Sequence, residues 1–317
     1  STFVIEMSGA VLLATRFVPR YGMQGIWISV FTAISAYCNA GIDILGREGE
    51  FCSLLPFAND PIVNITVMLL IIMGGLGFIV FQDVLFYKKR RKLMLHTKTV
   101  LFTTAFLIVL GAVVFFIGEY SNAATIGNKP LLQKILASFF QSVTARTAGF
   151  NTVDLAALRD PTKAFSCVLM FIGAAPGSTG GGVKVTTFMV VAMTVLATLR
   201  NKTETTIMRR RVDYKVVYKA LAIITLGIVV VLATSVVILV ENDVGMIDGI
   251  FEAVSAFGTV GLSTAGTSGL GPISRIALML TMLVGRCGSF SFFLAITLRQ
   301  IYKPRKLVLP EGQIMVG

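Results

Sequence analysis

The chain has 317 residues, 55% of them hydrophobic and 14% charged, with a mean hydropathy of +0.82 and a net charge of +12. A soluble domain of this length needs more polar surface than that, so the composition points instead to an all-α polytopic membrane protein. The positive charge does not mark a nucleic-acid binder, because it is confined to short segments that follow apolar runs.

In chain order, the first apolar run is 3–18, and amphipathic residues 25–37 follow it. Longer apolar runs at 62–86, 97–118, 163–197, 217–240 and 276–298 predict membrane spans, each near or above the ~20 residues a crossing needs. Between them, 131–145 and 246–257 predict two more short helices. At about 1.5 Å per residue none of the three short helices crosses a bilayer. They must re-enter, which leaves irregular backbone at membrane depth, tolerated only where it is buried in protein or lines a watery cavity.

Three basic segments each follow a span: YKKRRKLMLHTK (87–98), residues 199–219 and the tail RQIYKPRK (299–306). The segments GIDILGREGE and ENDVGMID between them are acidic or mixed, so the positive-inside rule makes the basic segments cytoplasmic. The four cysteines have no metal-ligand spacing; a Cys38–Cys52 disulfide on the outer side is left open. His96 reads as a solvated residue. Paired carboxylates and nucleophile–base sets are missing from the sequence, so no enzyme is expected.

Three stretches align without gaps: FTAISAYCNAGID (31–43), FFQSVTARTAGFN (139–151) and FEAVSAFGTVGLS (251–263). Each carries Phe ten residues before Gly, and the glycines Gly41, Gly149 and Gly261 are 108 and 112 residues apart. The repeating unit is spanning helix (M1), short pore helix, glycine turn, spanning helix (M2). The turns themselves are Asn39-Ala40-Gly41, Thr147-Ala148-Gly149 and Thr259-Val260-Gly261. Thr259-Val260-Gly261 matches the opening of a carbonyl-lined cation filter, where glycine permits the φ > 0 backbone that turns carbonyls inward. Pore helices aimed by their carboxyl ends at that point favour a cation. With a period near 110 residues, a fourth unit is expected ahead of Ser1.

The stretch GSTGGGVKVTT (177–187) has the glycines of a phosphate-binding loop, but Val183 stands before Lys184 and Val185 after it, and no strand precedes it. The run around it, 163–197, is too long for one straight crossing, and Pro176 followed by Gly177, Gly180, Gly181 and Gly182 breaks the helix. This predicts two half-helices joined by a small-residue loop below the turns. Gly74, Gly75, Gly77, Gly285 and Gly288 read as close-packing glycines. Arg286, inside the last span, reads as a barrier in a pathway or as half of an ion pair with Glu252 or Asp83. Arg146 reads as a brace behind its turn, and Lys184 as a snorkelling residue.

Together, TARTAGFNTVD, GTVGLSTAG, AYCNAGID, APGSTGGGVKVTT and LVGRCG resemble the Trk/Ktr/HKT superfamily of potassium transporters, in particular its bacterial Ktr branch. The resemblance covers the whole chain as three of four units. Residues 1–86 correspond to the second unit, 87–197 to the third with its broken M2, and 198–317 to the fourth with a cytoplasmic tail. It implies a pseudo-fourfold K+ pore in the plasma membrane, with the three turns above as filter and Gly177, Ser178, Thr179, Gly180, Gly181, Gly182, Lys184 and Arg286 as gate. It also implies a homodimer on cytosolic RCK-domain subunits that bind ATP/ADP or NAD(H), no cofactor in this subunit, and possible dependence on Na+. The alternative is a secondary carrier with a midplane site at the broken helix, which the single orientation of the repeats disfavours.

Overall fold

The computed structural model describes residues 2–49, 51–202 and 204–288. In chain order the helices are α1 (Thr2–Tyr21), α2 (Met23–Tyr37), α3 (Pro61–Leu76), α4 (Phe78–Leu85), α5 (Tyr87–Arg90), α6 (Leu95–Glu119), α7 (Leu131–Thr144), α8 (Asp160–Phe171), α9 (Val185–Leu199), α10 (Tyr214–Glu241), α11 (Met246–Gly258) and α12 (Pro272–Cys287). A hairpin of β1 (Thr206–Ile207) and β2 (Arg210–Arg211) joins α9 to α10. The basic tail and the end of the last predicted span lie outside the described residues.

Helices α1, α6 and α10 are long and apolar enough to cross a membrane, and α3 with α4 would make a fourth crossing as a bent pair. On α6, Val100, Leu107, Gly111 and Phe115 are buried, a stripe of helical period, while Phe102, Phe106, Val109, Val113 and Ile117 lie exposed. That exposure is wrong for water and right for lipid. The short helix α11 is the opposite, buried without interruption from Phe251 to Gly258. Each short helix packs on the long helix before it, α2 on α1, α7 on α6 and α11 on α10. Contacts of α3 with α7 and of α8 with α11 then join the units in sequence.

Carboxylates start the helices that follow the turns. Asp60 accepts from Ile62 N at 2.9 Å ahead of α3, and Glu119 accepts from Arg159 N at 3.1 Å ahead of α8. Glu241 accepts from Ile273 N at 3.1 Å and Ser274 N at 2.5 Å in α12. Each satisfies amides that a helix start leaves bare, and places negative charge at its positive end.

Two expectations are corrected. The run 62–86 is not one straight helix: it breaks at Gly77, where α4 turns 95° from α3. Gly77 is therefore a bend as well as a close-packing glycine: its φ 82° and ψ 152° are a conformation L-residues avoid, and a Cβ on it would lie 2.7 Å from Pro176 O. Second, the interruption of the third M2 is wider than 177–187 on its upstream side: α8 ends at Phe171 and α9 starts at Val185, because Gly173 already leaves the helix to pair with Val183 O.

Candidate functional site

Helices α2, α7 and α11 each end at one of the glycine turns, which brings their negative dipole ends together. The turns share one backbone form. Asn39 and Gly41 have φ of 50° and 64°, Thr147 and Gly149 of 76° and 86°, Thr259 and Gly261 of 51° and 90°. Left-handed residues at alternate positions bring successive carbonyls round to one side, the geometry of a carbonyl-lined path. The sequence flagged only the glycines for φ > 0; the polar residue two places earlier adopts it too. The turns after α2 and α11 close alike, with Asn39 N donating to Ala36 O and Ala40 N to Ser35 O, then Thr259 N to Ala256 O and Val260 N to Ser255 O.

The turns touch in chain order. A Cβ on Gly41 would collide with the Ala148 carbonyl, and one on Gly149 with the Val260 carbonyl, whereas one on Gly261 would meet only Gly149 Cα at 3.8 Å. On the side of the residues after the glycines, a cavity of about 370 Å³ is lined by Gly41, Gly149 and Gly261 with Asp43, Asn151 and Ser263. A buried carboxylate shapes its rim: Glu252 accepts from Ser263 Oγ (2.5 Å), Thr264 N (3.0 Å), Ala265 N (3.1 Å) and Thr267 Oγ1 (3.1 Å).

On the opposite side lies the segment between α8 and α9. Thr179 Oγ1 donates to Tyr37 O (3.4 Å) and Gly74 O (3.3 Å), just below Asn39. A Cβ on Gly180 would collide with Thr147 Oγ1, and one on Gly181 with Thr259 Oγ1. Three consecutive residues thus face the three turns, one each, and the absence of side chains at 180 and 181 is what lets them in. Below the second turn, a further cavity of about 370 Å³ is lined by Tyr37, Cys38, Gly77, Phe78 and Gly177–Thr179.

Lys184 does not snorkel. Its Nζ donates to Gly180 O at 2.6 Å and fastens the segment to itself, because the helix start at Val185 points the lysine back over the turn it follows. Arg286 is exposed and makes no ion pair among the described residues. The expected pairs do not form: Glu252 is committed to the loop after Gly261, and Asp83 accepts from Met94 N. Arg146 is buried behind the Thr147–Gly149 turn, among Ile71, Gly75, Thr104 and Ala174, and away from the central cavity.

Cys38 and Cys52 are both free thiols. His96 is half-buried with a shielded Nε2, not solvated. Among the described residues no His, Cys, Asp or Glu cluster could hold a metal ion. The close-packing reading holds at Gly74 and Gly285: a Cβ on Gly74 would collide with Tyr37 O and one on Gly285 with Phe257 O. What the sequence reading did not give is the backbone turn three residues on, where Gly77 and Gly288 both have φ 82°, although the shared spacing of GGLG and GRCG carries that signal.

Comparison with known proteins agrees with this architecture. Residues 1–304 match the TrkH family, described as cation transport protein. The Ktr system potassium uptake protein B of Bacillus subtilis is 37% identical over 314 residues, covering 99% of this chain and 69% of that protein. The protein of the same name from Vibrio alginolyticus is 38% identical over 320 residues, covering 99% and 68%. The potassium/sodium uptake protein NtpJ of Enterococcus hirae is 34% identical over 319 residues, covering 99% and 69%. The crystal structure of the potassium transporter TrkH from Vibrio parahaemolyticus superposes with a TM-score of 0.73 at 16% identity, covering 92% of this chain and 62% of that one, a likeness of fold.

Proposed function

The chain belongs to the TrkH family of cation transport proteins, a family of multi-pass membrane transporters and not of enzymes, and we propose that it is the K+-translocating subunit of an uptake system in the plasma membrane. Ions pass through the ring of glycine turns at Asn39–Gly41, Thr147–Gly149 and Thr259–Gly261, completed by a fourth turn from a like unit outside this sequence. The segment 172–184 is the gate, with Lys184 and Arg286 as positive charges at the inner mouth. The units 1–86, 87–197 and 198–317 are the second, third and fourth pore repeats. The basic segments face the cytoplasm, where an RCK-type subunit binding ATP/ADP or NAD(H) regulates flux through a homodimer of this chain. Sodium is a second candidate ion, since one relative is named for both potassium and sodium uptake.

The observation that carries this reading is the register of Thr179, Gly180 and Gly181 beneath Asn39, Thr147 and Thr259. A phosphate-binding loop has no reason to seat its glycines against three symmetry-like turns. A filter with a plug does.

Gly261→Ser tests it. At φ +90° there is room for a side chain but not for its backbone preference, so the carbonyls of the fourth turn are misaimed at a cost of about 1–2 kcal/mol. The half-saturation concentration for K+ rises about tenfold, or selectivity over Na+ falls, with the amount of folded protein unchanged. K+-limited growth and Rb+ uptake measure both. Unchanged half-saturation and selectivity overturn the assignment.

A further inference from the structure

In a continuous α-helix, the Phe78 amide would donate to the Gly74 carbonyl and the next amide to the Gly75 carbonyl. The bend at Gly77 forfeits both bonds. Buried backbone groups must be satisfied somewhere, above all at membrane depth. Here the partners come from one place. Phe78 N donates to Gly177 O at 3.1 Å, and Ala175 N donates to Gly75 O at 3.0 Å. Thr179 Oγ1 reaches Gly74 O at 3.3 Å. The approach is close on both sides: a Cβ on Gly77 would lie 2.7 Å from Pro176 O, and one on Gly177 would lie 2.9 Å from the Phe78 ring.

We propose that α3–α4 and residues 175–179 form a hydrogen-bond exchange switch. The groups at the Gly77 bend bond either to their own helix or to the gate segment, and never to both. Straightening the second M2 therefore releases the segment from beneath the turns, and seating the segment bends the helix. The Phe78 amide and the Gly74 and Gly75 carbonyls have a partner in either state, so the balance is fine enough for a regulator to shift. The lever has a handle. Asp83, buried on α4, accepts from Met94 N at 2.8 Å, which ties α4 to the basic segment 87–98. A pull on that segment from the cytoplasm is transmitted to the hinge.

This switch rests on the transport reading above, and two neighbouring substitutions test it in opposite directions. Gly77→Ala cannot hold φ 82°, ψ 152°, and alanine outweighs glycine about fivefold inside a helix, so the straight form gains. Phe78→Pro fits the first position of α4, where ψ 152° at Gly77 is what a following proline prefers. The same proline gives up the Phe78 N–Gly177 O bond of the bent form, but its ring clashes with the Gly74 carbonyl in a straight helix, which is the larger penalty, so the bent form stays favoured.

The experiment is Rb+ flux per folded molecule in vesicles holding the full-length protein, with hydrogen exchange of the Ala175 amide followed in parallel. Gly77→Ala is expected to raise flux about fivefold or more and to speed Ala175 exchange. Phe78→Pro is expected to lower flux and leave Ala175 protected. Changes in the same direction, or no change in either variant, overturn the switch. If wild type carries no Rb+ at all, the transport reading fails instead, and the exchange comparison alone decides the switch.

Discussion

The segments α3–α4 and α8–α9 are both interrupted below the turns, and they are interrupted differently. The first breaks at one residue, Gly77, and helix resumes at Phe78. The other opens between Phe171 and Val185 and inserts Thr179, Gly180 and Gly181 beneath all three turns. A single-residue break can heal into a helix because no chain length has to be absorbed. An inserted segment cannot heal, and moves only by leaving its seat. The first kind of break suits a hinge and the second a plug. Gly288, at the end of α12, has the φ of Gly77, and Arg286 there takes the place of Gly75.

The comparison separates packing glycines from hinge glycines, and the largest effect falls on packing. Gly285→Ala and Gly74→Ala each drive a methyl into a main-chain carbonyl that cannot swing aside. Overpacking of this kind costs about 1–3 kcal/mol, so folded yield and thermal midpoint in detergent drop. Gly288→Ala meets nothing within 4 Å among the described residues and carries only the left-handed backbone cost of about 1–2 kcal/mol at φ 82°, so its yield falls less. Equal losses at 285 and 288 would break the distinction.

Next in size is Gly181→Val. Its side chain would occupy the position of Thr259 Oγ1, so the plug loses its seat while the filter stays intact. About 1–3 kcal/mol of misfit in the closed state corresponds to roughly a tenfold rise in regulator-independent flux, read by Rb+ efflux from vesicles. A fall in flux would mean that residues 179–181 support permeation rather than block it.

Arg286→Ala is a smaller test. The side chain is exposed and without an ion-pair partner among the described residues, so its removal strands no buried charge. Flux rises modestly and folded yield holds; a loss of folded protein would restore a structural role. The smallest effect is at Cys38, which lines the inner cavity beside Gly177–Thr179. A charged thiol reagent applied from the cytoplasmic side modifies it faster in Gly181→Val than in wild type. Equal rates would place the moving part elsewhere.

Much of this was legible in the sequence, and the reason is periodicity. The Phe-to-Gly spacing of the turns located α2, α7 and α11 to within two residues at each end, because buried pore helices tolerate little variation in length. Pro176 and the glycines after it announced the break in the third M2. The hinge at Gly77 was hidden, since GGLGF lies in an unbroken apolar run and hydropathy does not register backbone direction. Lys184 was misjudged for a related reason: which carbonyl a lysine reaches depends on the turn before it, and here Gly180 O stands 2.6 Å away. Glu252 was weighed only as a partner for Arg286. Its real donors, Thr264 N and Ala265 N, come from a loop whose path follows the fold of the fourth unit.

The central claim is that residues 178–182 plug the inner mouth of the turns. Deleting Ser178–Gly182 from the full-length protein and measuring Rb+ flux per folded molecule, with and without the cytosolic regulator, tests it most directly. The account predicts flux well above wild type and nearly independent of the regulator, with K+ still preferred over Na+ because the turns are untouched. Folded protein whose flux is unchanged or lost would contradict it.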